Sequence, residues 1–185
     1  MRARQKLGCA IVALCVGTWG NTALAANECG PATGGTVTCA PSATNYPTGV
    51  TYATVSDITV NAPAGVTVAT ATPATNGITI TSTGGSTLSG GATVSTTGDG
   101  SNGVVVTSGT GPVAVTVGNV TTSGALAGGI IATGGLNQNV TVNAGNVATS
   151  NLAPSAYFFL PSSTAIKATS AGTGNVATVE LPVAG

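Results

Sequence analysis

Few side chains in this 185-residue chain could carry out chemistry, since four are basic, four are acidic and none is histidine. Nucleophilic catalysis needs a Ser, Thr or Cys beside a base, and beyond residue 25 the one amine side chain is Lys167. A glycoside-cleaving carboxylate pair would have to use Asp57 and Asp99, which fall in different repeats. A calcium loop needs several oxygen ligands, and the segment 98–101 offers one carboxylate. The sequence therefore predicts no enzyme, no metal site and no cofactor.

The N-terminus has the order of features that is typical of a secretory signal. The basic segment MRARQK precedes an apolar run at 7–17, which is shorter than the roughly 20 residues that cross a bilayer. Ala23-Leu24-Ala25 is an A-x-A cleavage site, so we expect a cut after Ala25, with Ala26 as the next candidate. The alternative is a short buried helix. The predicted signal peptide, helical over 1–25, implies export through the periplasm.

Two cysteines remain after this signal, Cys29 and Cys39, in the segment CGPATGGTVTC. An exported chain meets an oxidising environment, where an intrachain disulfide is the default. A metal site would need further ligands and the chain has no histidine, while a redox pair is usually closer in sequence. The loop-entropy model gives a closure this short about 2–3 kcal/mol. We predict a structural disulfide within an N-terminal cap at 26–49.

The composition points to an all-β protein. Thr and Val, which are β-branched, favour pleated strands, and Gly and Ser favour turns. Past residue 25 the chain is weakly acidic and has no cluster of Lys or Arg, which a nucleic-acid partner would require.

Three segments, 76–82, 102–108 and 128–134, align without gaps and at equal intervals along the chain. Alternation puts Ile78 and Ile80 on one face of a short strand. One such unit cannot bury its apolar face, whereas stacked units can. The spacing predicts a β-solenoid over 50–185 with rungs of about 26 residues. Corners with positive φ or close backbone approach are expected at Gly77, Gly103 and Gly129.

Two alternatives stay open, a β-sandwich with recurring strands and an unstructured linker, although the phased alternation of Val and Ile weighs against a linker. Residues 151–167 interrupt the pattern. There Tyr157, Phe158 and Phe159 form the aromatic cluster of the chain, which either packs over the solenoid or forms a contact patch.

The signal ending at Ala25, the Cys29/Cys39 pair and the Gly-[Ile/Val]-x-[Ile/Val/Ala] rungs resemble the N-terminal part of a bacterial autotransporter passenger. The resemblance covers nearly the whole chain. It implies a right-handed β-helix displayed on, or released from, the outer membrane of a Gram-negative cell, with a role in adhesion or aggregation. It also implies a C-terminal outer-membrane barrel, and no barrel-like strands occur up to residue 185. The expectation is a fragment, a truncated product or a chain that cannot translocate itself.

The leading hypothesis is thus an exported, non-catalytic β-solenoid with an adhesive or structural role. Its partners would be a surface glycan, a protein receptor or copies of itself. A secreted carbohydrate-acting β-helix enzyme is the first alternative, and it requires charged groups clustered on one face. The second is a pilin-like β-sandwich adhesion module, which requires two packed sheets.

Overall fold

The computed structural model describes residues 28–41, 45–150, 164–172 and 177–181, and this part of the chain contains strands and no helix. The helix predicted for the signal peptide lies outside the described residues. In chain order the strands are β1 (Thr36–Thr38), β2 (Val50–Thr54), β3 (Ile58–Ala62), β4 (Thr67–Thr70), β5 (Ile78–Ser82), β6 (Ser86–Gly90), β7 (Thr93–Thr96), β8 (Val104–Ser108), β9 (Val113–Val117), β10 (Val120–Thr122), β11 (Ile130–Leu136), β12 (Val140–Ala144), β13 (Val147–Thr149), β14 (Ile166–Ala171) and β15 (Ala177–Glu180).

These strands form three parallel sheets. Sheet A is β1-β3-β6-β9-β12-β15, sheet B is β13-β10-β7-β4, and sheet C is β14-β11-β8-β5-β2. The chain passes from sheet C to sheet A to sheet B and back, so each circuit is one turn and neighbours in a sheet come from successive turns. The fold is a parallel β-solenoid of about four turns, which confirms the predicted all-β solenoid class. It excludes the β-sandwich, because that fold pairs strands within two packed, mostly antiparallel sheets.

The turns do not share one length. In sheet C, Ile78 pairs with Val104 and Val104 with Ile130, at the same interval that the sequence alignment gives. In sheet A the interval from Val113 to its partner Val140 is one position longer, and the last turn of sheet C, from Ile130 to Ile166, is the longest of these. The extra residues of that turn lie between β13 and β14, and β14 stays in register with β11 from Ile130 to Gly134 before the pairing shifts by one residue at Leu136.

Alternation along each strand builds the interior. Inward-facing residues are buried and their neighbours are half-buried or exposed, as in the pattern of β3. Burying a Val or Ile side chain contributes about 1.5–3 kcal/mol, and no single turn could surround its own. The inward column of sheet B shows the stacking, with four valines in register: Val68, Val94, Val120 and Val147.

Threonines follow these valines as a second inward column in sheet B. Thr70 Oγ1 donates to the carbonyl of Thr75 at 3.1 Å, and Thr96 Oγ1 to that of Ser101 at 3.0 Å. Thr122 occupies the same place one turn later, but its buried hydroxyl has no hydrogen-bond partner among the described residues. The inward hydroxyls of this column are therefore hydrogen-bonded at Thr70 and Thr96, and, within the described part of the chain, the one at Thr122 is not.

The corner from sheet B to sheet C is built the same way in three successive turns. Seven residues connect β4 to β5, β7 to β8 and β10 to β11. The fourth residue of each connection has a left-handed backbone: Ala74 at φ 56°, Gly100 at 67° and Leu126 at 59°. The corner needs this conformation whatever the residue, although only glycine adopts it freely.

The three glycines predicted at equivalent corners are indeed stacked. Gly77 N donates to the carbonyl of Asn102, and Gly103 N to that of Gly128, both at 2.9 Å. Positive φ is not the reason for glycine here. A Cβ on Gly77 would lie 2.4 Å from Val94 Cγ1, and one on Gly103 would lie 2.4 Å from Val120 Cγ1. Glycine is required at these positions because a Cβ atom would clash with side chains of the interior.

Candidate functional site

The predicted disulfide is present between Cys29 and Cys39, whose Cα atoms are 4.5 Å apart. Cys39 directly follows β1, its side chain is buried in the core, and its N–H donates to the carbonyl of Asn61 at 2.8 Å. Cys29 is half-buried against the same core. The disulfide thus ties the first described residues to the N-terminal edge of sheet A. Residues 28–41 are called the end cap below.

Tyr52 links the end cap to sheet C. It lies in β2, points inward and is 2% exposed. Its hydroxyl donates to the carbonyl of Gly30 at 2.8 Å and accepts from the N–H of Cys29 at 3.2 Å. Burial raises the pKa of Tyr52, the negative charge of Glu28 adds to the rise, and the bond from Cys29 opposes it. The phenol is therefore held neutral as an internal bridge.

Glu28 covers the free edge of β2. Its Oε2 accepts from the N–H of Thr51 at 3.2 Å, and its Oε1 accepts from the Thr48 hydroxyl at 3.5 Å. Val50 N donates to the carbonyl of Gly77 on the β5 side, so the N–H of Thr51 points to the opposite, N-terminal side. A carboxylate occupies the place that a preceding strand would take.

Asp57 and Asp99, the two carboxylates that the sequence offered for catalysis, accept hydrogen bonds from backbone N–H groups. Asp57 Oδ1 accepts from the N–H of Gly85 at 2.7 Å, and Asp99 Oδ1 accepts from the N–H of Ala125 at 2.9 Å. Each aspartate joins its own turn to the next, at a different corner of the solenoid. The described residues contain no group of three or more His, Cys, Asp or Glu side chains that could hold a metal ion.

Two shallow grooves lie on the surface. One, of about 350 Å³, is lined by residues 143–145 together with Glu180 and Leu181. The other, of about 520 Å³, is lined by residues 53–56 at the end of β2. Glu180 is the single ionisable side chain among the described residues that line them.

An outward column of hydroxyls runs along sheet A. Strand pairing aligns Thr36 with Thr59, Thr59 with Thr87, and Thr141 with Thr178, while Ala114 fills the one gap. No hydrogen bond within the described part of the chain uses the hydroxyls of this column. They can bond to water or to a ligand. This threonine ladder comprises Thr36, Thr59, Thr87, Thr141 and Thr178.

Sheet C carries a shorter outward column, which runs through four successive turns. Pairing aligns Thr81 with Thr107, Thr107 with Thr133, and Thr133 with Thr169. Its neighbouring column is partly apolar and ends in a charge, since Val105, Ile131 and Lys167 follow one another there. Sheet A therefore presents the longer neutral array.

Two of the sites predicted from the sequence fall outside the described residues. They are the cleavage positions Ala25 and Ala26 and the aromatic patch of Tyr157, Phe158 and Phe159. Both assignments stay predictions.

Sequence reasoning missed the cap contacts of Glu28 and Tyr52 and the alignment of the threonine ladder. Tyr52 had a usable signal, because it occupies an inward position of the alternation where later turns have Ile80 and Val106. The ladder gave no usable signal, since the turns that carry it differ in length and its register is fixed only by strand pairing. Glu28 gave no signal, since its partner Thr51 lies on another element.

Comparisons with protein-family models, with curated proteins and with solved structures find no match to this chain. The class of protein is therefore defined by the fold alone, a parallel β-solenoid with a disulfide-linked N-terminal end. Within the described residues, no helix has the length and apolar character needed to cross a membrane.

Proposed function

We propose that this chain is an exported, non-catalytic, right-handed β-solenoid. It is displayed on, or released from, the outer surface of a Gram-negative cell as an autotransporter-like passenger, and it serves there as an adhesive or structural rod. The observation that carries the proposal is the threonine ladder, a neutral array of hydroxyls in register along sheet A whose hydrogen-bonding capacity the described chain leaves unused.

Such an array suits a repetitive, uncharged partner. Each hydroxyl can donate one hydrogen bond and accept others, and neighbouring strands repeat every 4.7–4.9 Å or so. One hydroxyl would bind weakly. Several hydroxyls on one rigid rod would bind more tightly together, because the first contact raises the effective concentration for the others. A surface glycan rich in hydroxyls, a protein receptor and another copy of the chain would each meet these requirements.

The disulfide supports the export half of the proposal. Structural disulfides persist in oxidising compartments and are rare in the cytosol. The segment 1–25 adds the charge, the apolar run and the small-residue site of a signal peptide. Both features agree with a chain that folds after it has left the cytoplasm.

Adhesion is tested by removing the ladder's hydroxyls and keeping its shape. We expect the triple variant Thr59→Val/Thr87→Val/Thr141→Val to lose most binding of the purified chain to hydroxyl-rich glycans on an array. The matched control is Thr81→Val/Thr107→Val/Thr133→Val on sheet C, which should retain binding. Equal loss in both variants, or full retention in the first, would refute the role of sheet A.

Export is tested by expressing the full chain in a Gram-negative host and measuring the mass of the product in the periplasm and medium. We expect a chain that begins at Ala26 with Cys29 and Cys39 oxidised. Retention of the full-length, reduced chain in the cytoplasm would overturn this half of the proposal.

A further inference from the structure

Asparagine followed by glycine occurs at the same corner position in two successive turns. Asn76-Gly77 and Asn102-Gly103 are the last two residues of their connections from sheet B to sheet C, directly before β5 and β8. One turn later Gly128 takes the place of the asparagine. An asparagine amide is most open to attack by the following backbone nitrogen when that residue is glycine, which has no side chain to hinder the attack. The corner therefore stacks two candidate sites of spontaneous deamidation.

The folded corner holds the attacking nitrogens in hydrogen bonds to the next turn. Gly77 N donates to the carbonyl of Asn102 at 2.9 Å, and Gly103 N donates to the carbonyl of Gly128 at 2.9 Å. Both of these nitrogens belong to buried residues. Attack on the asparagine side chain requires that this bond breaks and that the backbone turns, which is a local opening of the corner.

The two asparagine side chains are bonded to each other in a fixed direction. Asn76 Oδ1 accepts from the N–H of Asn102 at 2.9 Å and from Asn102 Nδ2 at 3.2 Å. Asn102 Oδ1 accepts from the N–H of Gly128 at 2.8 Å. Because a backbone N–H can only donate, these bonds fix which end of each amide is the oxygen. The Nδ2 group of Asn102 is therefore a donor that helps to hold Asn76 in place.

Conversion of an amide to a carboxylate has unequal consequences at the two positions. At residue 76 the carboxylate keeps an oxygen for both donors of Asn102, and the Thr79 hydroxyl, which accepts from Asn76 Nδ2 at 3.2 Å, can donate instead. At residue 102 a second oxygen replaces the Nδ2 donor and faces Asn76 Oδ1, which is also an acceptor. Only the change at residue 102 therefore loosens its neighbour.

We infer that Asn76 and Asn102 are a coupled pair of deamidation sites, which the folded solenoid protects and in which modification of Asn102 exposes Asn76 to reaction. In the first step the glycine nitrogen bonds to the asparagine Cγ, its proton passes to Nδ2, and the Cγ–Nδ2 bond breaks with release of ammonia. Water then opens the resulting succinimide ring to aspartate or isoaspartate. Water is the only co-reactant, so the inference depends on neither export nor adhesion.

Protection is tested by following deamidation of the full, disulfide-bonded chain at mildly alkaline pH, folded and in urea, by peptide mass mapping. We expect Asn76 and Asn102 to react at least about ten times more slowly in the folded chain, since only the open corner reacts. Asn119 precedes a β-branched valine, which hinders attack, so it is the internal control and should react slowly in both states. Equal rates at the two sites with and without urea would overturn the protection.

The coupling is tested with a matched pair of variants, each checked for folding by far-ultraviolet circular dichroism. Asn102→Asp should raise the deamidation rate at Asn76 several-fold in the folded chain. Asn76→Asp should leave the rate at Asn102 unchanged. A parental rate at Asn76 in the first variant, or an equal acceleration in both variants, would refute the coupling.

Should Asn102→Asp unfold the chain, Asn102→Gly decides. The corner accepts glycine at this place one turn later, at Gly128. The variant removes the bond from Asn102 Nδ2 to Asn76 without adding a charge, and it should also speed the reaction at Asn76. If the rate at Asn76 does not change, that side chain is not held by its neighbour and the inference fails.

Discussion

The first and last strands of sheet C have the same inward pattern but different surroundings. In β2, Val50 and Tyr52 are 1% and 2% exposed, although no strand among the described residues precedes them in their sheet. In β14, the equivalent Ile166 and Ala168 are only partly buried. The repeat that builds the middle turns therefore does not by itself close an end of the solenoid. Every turn leaves an unpaired strand edge and an uncovered apolar interior, which the next turn covers.

The residue types at the two ends follow from this difference. The N-terminal end is covered by Cys, Glu and Tyr side chains, whereas the middle turns are built mainly from Val, Ile and Thr. At the C-terminal end the last described strands still follow the repeat, and Val179 in β15 is 44% exposed. We expect mutations at matched positions to have unequal effects at the two ends.

The largest contrast is expected for a charge placed in the inward valine column of sheet B. Val68→Asp buries a carboxylate where the native side chain is fully buried, and should cost about 4 kcal/mol or more of unfolding free energy. Val147→Asp, three turns later, lies at a half-buried edge position and should cost much less. Urea denaturation of both variants tests this, and equal losses would show that the two ends are equally closed.

Loss of the disulfide should have the next largest effect on the free energy of unfolding. Cys29→Ser/Cys39→Ser is expected to cost roughly 2–3 kcal/mol, since the bond closes a short loop. Because each turn contacts only its neighbours, hydrogen exchange should accelerate in β1, β2 and β3 and stay unchanged in β11 and β12. Uniform acceleration through all turns would contradict a local cap.

The Tyr52 hydroxyl should contribute less to the free energy of unfolding than the disulfide does. Tyr52→Phe leaves the carbonyl of Gly30 and the N–H of Cys29 without this partner, at a cost of about 1 kcal/mol. The raised pKa of Tyr52 means that the folded state keeps its proton while the unfolded chain loses it near pH 10, so native stability falls as the pH rises above that value. Denaturation midpoints measured from neutral to strongly alkaline pH should fall less steeply for Tyr52→Phe.

The smallest contrast concerns two threonines one turn apart. Thr96→Val removes a hydroxyl that is bonded to Ser101 and should cost about 1 kcal/mol. Thr122→Val removes a buried hydroxyl that has no partner among the described residues, and it should be neutral or stabilising. Thermal unfolding of the pair checks this, with the opposite order as the contradicting result.

The sequence predicted the solenoid well because its main cause is local and periodic. Ile78 and Ile80 alternate with threonines, and the same inward pattern recurs at Val104 and Val106, so stacking is the simplest way to bury both pairs. The Cys29–Cys39 pair was likewise readable from composition and context.

Other features depend on contacts that one segment cannot reveal. Asp57 and Asp99 resembled candidate acids, yet their partners are backbone groups of the next turn. Ala74 and Leu126 have left-handed conformations that their residue types disfavour, so the corner geometry overrides local preference. The ladder on sheet A required the register of every turn, and unequal turn lengths obscured it.

The connection between β13 and β14 runs over 150–165, which is more than twice the length of the same corner elsewhere, and Ile166 still aligns with Ile130. The scaffold therefore separates two properties that are coupled in most globular domains, the shape of the core and the content of its loops. A chain built this way can acquire or exchange a binding segment at a corner without redesigning its interior, so recognition and stability can change independently.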